Sequence, residues 1–341
     1  MSERNEYFDV LRGIAIMGVI AIHSSGTGLE FEENSINFHF TVLWRNLLNF
    51  SVPMFLAISG YFLAGKLVKS FSEYFTFIKK QVPRVYIPFF LWSFFWLGLA
   101  VLIQNKPIFY EIIKLITFQS NSTYYFIALI IQCYLLLPIL TRFANKSGLV
   151  ISIIISIAMT VLIFYFRYYT EINLPLIIYA GNFLTWSMFF ILGIYLGSKT
   201  NIKTSNYLLI TLIFSFYILS CIESYVLIAM FHQPGNAVTA VKPSSFMYSF
   251  FMVVFLLKNQ GLIRSKLLKE IGLISFGIYL THMIALLIVS YLISNYFPLL
   301  KALSPAYQFS LISLVTLICF IGITMLNSQL STRISKFIGF K

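Results

Sequence analysis

Ten stretches of mostly apolar residues, each close to the roughly 20 that a helix needs to cross a bilayer core of about 30 Å, dominate this chain. They lie at 8–28, 41–64, 84–103, 123–143, 148–166, 175–197, 206–231, 244–257, 271–295 and 305–327, the eighth being short and borrowing flanking residues. Composition agrees with this reading: 59% of the residues are hydrophobic and 10% charged, against roughly 25% charged in a soluble domain. The 36 Phe and 21 Tyr suit lipid-facing and interfacial helices. No Ser/Gly/Pro-rich linker and no repeat of fixed period divides the chain. The expectation is an all-α, polytopic membrane protein of about ten helices in one bundle, forming a single domain over 1–341.

Ten crossings put both ends of the chain on one side, and basic residues favour the cytoplasmic side. Of the 24 Lys and Arg, only Arg45, Lys106, Lys114, Arg167, Lys242 and Lys301 fall on the opposite side. Both termini are therefore expected to be cytoplasmic, in a bacterial-type inner membrane. The formal net charge of +13 reports topology and contact with anionic lipid, and calls for no nucleic-acid partner. The first run does not read as a cleavable signal peptide, because Glu3, Glu6 and Asp9 precede it or open it and Arg12 interrupts it. Cys133, Cys221 and Cys319 all sit inside apolar runs, where cysteines behave as small hydrophobes.

A polar group inside a membrane span is costly and tends to face protein or a water-filled cavity. Arg12 and His23, both in the first span, stand out. Eleven residues at about 100° each run only about 20° past three full turns, so both side chains leave the helix on nearly one face, about 16 Å apart along its axis. Arg12 lies near the cytoplasmic mouth and His23 deep in the outer half, which places this helix centrally. Taken alone, Arg12 reads equally as an interfacial anchor and His23 as a hydrogen-bonded packing residue. Asp9, three residues before Arg12, either orients the guanidinium or is a solvated helix-start residue.

The segment Phe8-Asp9-Val10-Leu11-Arg12-Gly13-Ile14-Ala15, continuing to His23-Ser24, resembles the opening helix of the membrane acyltransferase-3 family, in which Arg and His recur with ten residues between them. Ser51-Val52-Pro53-Met54-Phe55-Leu56-Ala57-Ile58-Ser59-Gly60 is similar to that family's second-helix signature, and Ser275-Phe276-Gly277-Ile278-Tyr279-Leu280-Thr281-His282 to its late Tyr-Leu-x-His element. One departure is plain. Where members often carry an Arg-x-x-Arg pair at the start of the third helix, this chain has Gln81-Val82-Pro83-Arg84, with Lys80 as the nearest substitute charge.

The resemblance implies transfer of an acyl group, usually acetyl, from cytoplasmic acetyl-CoA to a hydroxyl of a cell-envelope sugar, either a glycan or a lipid-linked sugar. Acetyl-CoA would act as co-substrate, and no permanently bound cofactor is implied. His23 is then the general base, since imidazole accepts a proton near neutral pH, or is itself transiently acylated. Arg12, Lys80 and Arg84 would hold donor phosphates. Lys80 and Arg84 also read as ordinary positive-inside charge. The chain ends soon after the tenth run, so the acceptor is expected to be handled by the membrane domain or a partner.

Glu223, deep in the seventh run, is a candidate to orient His23 and stabilise its protonated form; it pairs equally well with Arg45 or Arg167, or stays protonated. His282 and Tyr279 line the acceptor path or pack. Ser59 and Gly60 suit close helix packing, and Asn182 and Trp186 read as interhelical glue. The four histidines show no pair at metal-ligand spacing. Two other classes stay open: a transporter or flippase for a polysaccharide or glycolipid, and a sensing subunit that keeps the fold without catalysis.

Overall fold

A computed structural model describes residues 5–66, 70–170, 172, 174–198 and 203–341. Arg4, Lys69 and Lys199, counted above in the topology, lie outside these. The helices used below are α1 Glu6–Ser24, α2 Ile36–Leu48, α3 Ser51–Leu63, α4 Phe71–Gly98, α5 Ile108–Ile116, α6 Tyr125–Leu135, α7 Lys146–Tyr169, α8 Phe183–Gly197, α9 Asn206–Phe231, α10 Pro243–Lys258, α11 Lys266–Leu273, α12 Ser275–Tyr296, α13 Ser304–Gln329 and α14 Thr332–Phe337. The described residues contain no strand. Among the described residues, eight continuous helical stretches are long and apolar enough to span a bilayer, and two shorter apolar helices, Ser122–Leu135 and Pro243–Lys258, stand at the fourth and eighth expected positions. The chain is an all-α, multi-pass membrane protein.

Local chemistry sets the helix starts. Asn5, Ser35, Ser70, Asn145 and Ser265 each accept a backbone N–H of the first turn that follows, satisfying donors that an isolated helix leaves open. Ser70 and Glu73 form the S-x-x-E capping pattern. That cap starts α4 well before the expected residue 84, so Lys79, Lys80 and Arg84 stand on a helix rather than in a loop, and Pro83 and Pro88 are carried inside it. The second expected span divides into α2 and α3 at Asn49-Phe50. The ninth divides into α11 and α12 at Ile274.

The helices group into two compact units, Met1–Phe55 with Asn201–Ser328, and Leu56–Thr200 with Gln329–Lys341. In the first, α1 packs on α11, α12 and α2, while α9 packs on α10 and α2. Helix α1 and its continuation to Glu30 form the most buried of the spanning stretches, at 72%, as its polar content demanded. Here α1 and α11 meet backbone to backbone. A Cβ on Gly13 would overlap the carbonyl of Leu268, and one on Gly272 would overlap that of Asp9. In the second unit α8 packs on α7 and α6, and α4 on α6 and α5. The close approach expected of Gly60 occurs there: its Cβ would strike the Phe190 carbonyl, and that of Gly193 the Ala57 carbonyl.

Candidate active site on the first helix

Near the N-terminal end of α1, Arg12 Nη1 donates to Asp9 Oδ1 at 2.8 Å, with Asp9 buried and Arg12 partly exposed. Of the two readings of Asp9, the structure contains the one in which it orients the guanidinium. An i, i+3 pair of this kind fixes the direction in which the remaining guanidinium donors point. One turn earlier, Glu6 forms an ion pair with Lys269 of α11, and that hydrogen bond raises the Lys269 ammonium above its ordinary pKa.

At the other end, His23 stands against His282 of α12, ring centroids 5.6 Å apart and planes at 48°. His282 is fully buried. Its Nδ1 lies 2.7 Å from the Tyr279 carbonyl, one turn back on the same helix. A carbonyl only accepts, so Nδ1 carries a proton, and in the neutral ring Nε2 is left with a lone pair. That Nε2 is buried with no hydrogen-bond partner among the described residues. The Tyr279 ring lies 6.0 Å from the His282 ring. The two histidines, distant in sequence, therefore share one site with Tyr279 beside it.

Glu223 is placed otherwise than as the partner of His23. Its Oε2 accepts from the backbone N–H of Ser244 at 3.2 Å and from the Ser244 hydroxyl. The carboxylate thus caps the start of α10, where a helix offers free N–H groups and favours negative charge. Among the described residues Glu223 makes no ion pair with Arg45 or Arg167. Arg167 instead stacks over the Tyr179 ring at 4.5 Å.

Two cations that topology assigned to the outer side prove to be internal. Arg45 Nη1 donates to the carbonyl of Ile22 at 3.2 Å, on the residue before His23. Lys242 is 2% exposed. Its Nζ donates to Asn46 Oδ1 at 2.8 Å, to the Ser220 carbonyl at 2.8 Å, to the Ala237 carbonyl at 3.0 Å and to Ser224 Oγ. Signals for both were present in the sequence. Arg45 lies inside the run 41–64, and Lys242 stands at the mouth of the run 244–257.

In the second unit, Lys80 and Arg84 are exposed, one turn apart on α4. Arg84 lines a cleft of about 450 Å³ together with Arg333 and Lys336 of α14, and no acidic residue lines it. The Trp92 indole N–H, donating to the Ile338 carbonyl at 3.0 Å, and the stack of Trp92 on Phe340 hold the C-terminal segment against α4. Ser59 is half-buried on α3, beside Gly60. Asn182 and Trp186 tie α8 to the segment that precedes it. Asn182 Oδ1 caps the start of α8, and Trp186 Nε1 donates to the Ala180 carbonyl at 2.7 Å, just ahead of the same helix.

No curated protein and no solved structure matches the chain. A family model does: that of the acyltransferase domain (Acyl_transf_3) matches residues 5–325. With Arg12, His23, Tyr279 and His282 inside a match over nearly the whole chain, this membrane protein belongs to the acyltransferase-3 family.

Proposed function

We propose that this acyltransferase moves an acetyl group from cytoplasmic acetyl-CoA to a hydroxyl of a cell-envelope glycan or lipid-linked sugar, working in an inner membrane with both termini cytoplasmic. The observation that carries the proposal is the arrangement along α1. A carboxylate-oriented arginine stands near one end, and a histidine faces a second, fully buried histidine at the other. A sugar hydroxyl is a weak nucleophile at neutral pH, and a positioned imidazole within reach of its proton is the group that activates it.

In this reading His23 takes the hydroxyl proton as the oxygen attacks the thioester carbonyl, and returns a proton to the departing CoA sulfur. Arg12 serves a phosphate of the donor, its guanidinium held by Asp9. On the second unit, Lys80 and Arg84 serve the same role. The Gln at position 81 is offset by Arg333 and Lys336, which stand beside Arg84, and clustered cations of this kind favour phosphate. Tyr279 and His282 support the acceptor side, Ser59 belongs to helix packing, and Glu223 steadies the outer start of α10.

Mass spectrometry of envelope polysaccharide from cells with and without the gene tests the proposal. Acetyl esters should disappear from one glycan on deletion and return with the wild-type gene but not with His23→Ala. An identical acyl pattern in all three strains would overturn it.

A further inference from the structure

Arg45 is held within the described structure by a single carbonyl. It stands on α2 inside a membrane-spanning stretch, where a charge is retained at a cost and normally faces a partner. Among the described residues no carboxylate forms an ion pair with it. Its Nη1 is held by the Ile22 carbonyl, while its Nε is buried with no partner. Two more buried polar atoms without a partner among the described residues lie close by: Ser24 Oγ, on the residue after His23, and Nε2 of His282 on α12, whose ring faces that of His23. Arg45 is also near enough to act electrostatically on the His23 ring. Buried polar groups are almost always satisfied. Three unsatisfied ones beside the same histidine mark a place built for a polar ligand atom, and the guanidinium sets the sign of that atom's charge as negative.

We propose that Arg45 is a catalytic residue that holds the oxyanion formed on the acyl carbonyl during transfer. This rests on the acetyl-transfer reading above. The acceptor hydroxyl oxygen forms a bond to the carbonyl carbon of the acetyl thioester, its proton passes to His23, and the C=O electron pair moves onto the carbonyl oxygen. That oxygen, now negatively charged, accepts from the guanidinium N–H groups of Arg45. When the carbonyl re-forms, the C–S bond breaks and the thiolate of CoA leaves, taking the proton from His23. A donor already in place where charge develops needs no reorganisation at the moment of reaction, so its contribution appears in the rate rather than in substrate binding.

The test uses membrane vesicles from producing cells, which carry the endogenous acceptor, with radiolabelled acetyl-CoA as probe. Arg45→Gln should lower kcat roughly 100- to 1,000-fold, as loss of an oxyanion donor does. KM for acetyl-CoA should stay within roughly threefold of wild type. Arg45→Lys, which keeps the charge, should recover part of the rate. Purified Arg45→Gln should melt in detergent near the wild-type temperature. A variant transferring acetyl at close to the wild-type rate, or one whose loss is matched by a collapse in melting temperature that Arg45→Lys does not repair, overturns the inference. His23→Ala in the same vesicles separates the two claims. If it is inactive while Arg45→Gln is active, only the role of Arg45 falls; if it transfers normally, the functional reading itself falls.

Discussion

His23 on α1 and His282 on α12 face one another with ring centroids 5.6 Å apart, and the hydrogen bond from His282 Nδ1 to the Tyr279 carbonyl sets which nitrogen of the second ring is free. Two imidazoles in one buried site have unequal parts. His282 is held by its own helix and fully enclosed, whereas His23 is only half-buried. In the proposed reaction this gives His23 the part of base and His282 a supporting one.

Substitution at the two histidines should therefore differ in size. His23→Ala is expected to lower acetyl transfer by roughly 100- to 10,000-fold, the range of general-base contributions. His282→Ala leaves the base in place and removes only the ring packed against it, a contact worth about 0.5–1.5 kcal/mol or roughly two- to tenfold in rate. Transfer rates in vesicles at saturating acetyl-CoA check the ranking, and equal losses in both variants would contradict it.

The Arg12–Asp9 pair predicts a different kinetic signature. Asp9→Asn keeps the shape but weakens the hold on the guanidinium, so KM for acetyl-CoA should rise while kcat changes little. Arg12→Lys should also raise KM despite keeping the charge, because an ammonium cannot reproduce the planar fork of donors. Initial rates across a range of acetyl-CoA concentrations decide this. A fall in kcat alone would move Arg12 from the donor to the chemical step.

Gly13 and Gly272 set the distance between α1 and α11, since a Cβ on either overlaps a carbonyl of the other helix. Gly13→Ala must push two backbones apart, and overpacking of this kind costs about 1–3 kcal/mol. Purified Gly13→Ala should melt lower in detergent than wild type. Gly26→Ala, where nothing lies within 4 Å of the added methyl, should melt unchanged.

Lys242 gathers α2, α9 and the turn before α10 through four oxygen acceptors. Lys242→Met leaves buried acceptors unpaired, at about 1–3 kcal/mol for each group stranded. The variant should lose thermal stability while each surviving folded molecule keeps its transfer rate. Melting curves and activity normalised to folded protein separate these. Unchanged melting would show that the network contributes little.

The spans were legible in the residues because crossing a bilayer is a local requirement: about 20 apolar residues suffice, whatever lies elsewhere in the chain. The common face of Arg12 and His23 was legible for a similar reason, since 3.6 residues per turn is a property of one helix. What these side chains meet was not. Helical periodicity gives the direction a side chain leaves, while its partner depends on which helices pack against that face and in what register. His282 and Arg45 reach His23 only through the packing of α12 and α2 on α1. The same packing turned Glu223 toward Ser244 and buried Lys242 among carbonyls. Sequence alone determined a polar, central first helix in an all-α membrane protein; tertiary structure decided that its histidine has a second histidine and an arginine for neighbours, because long-range contacts are set by surfaces rather than by spacing.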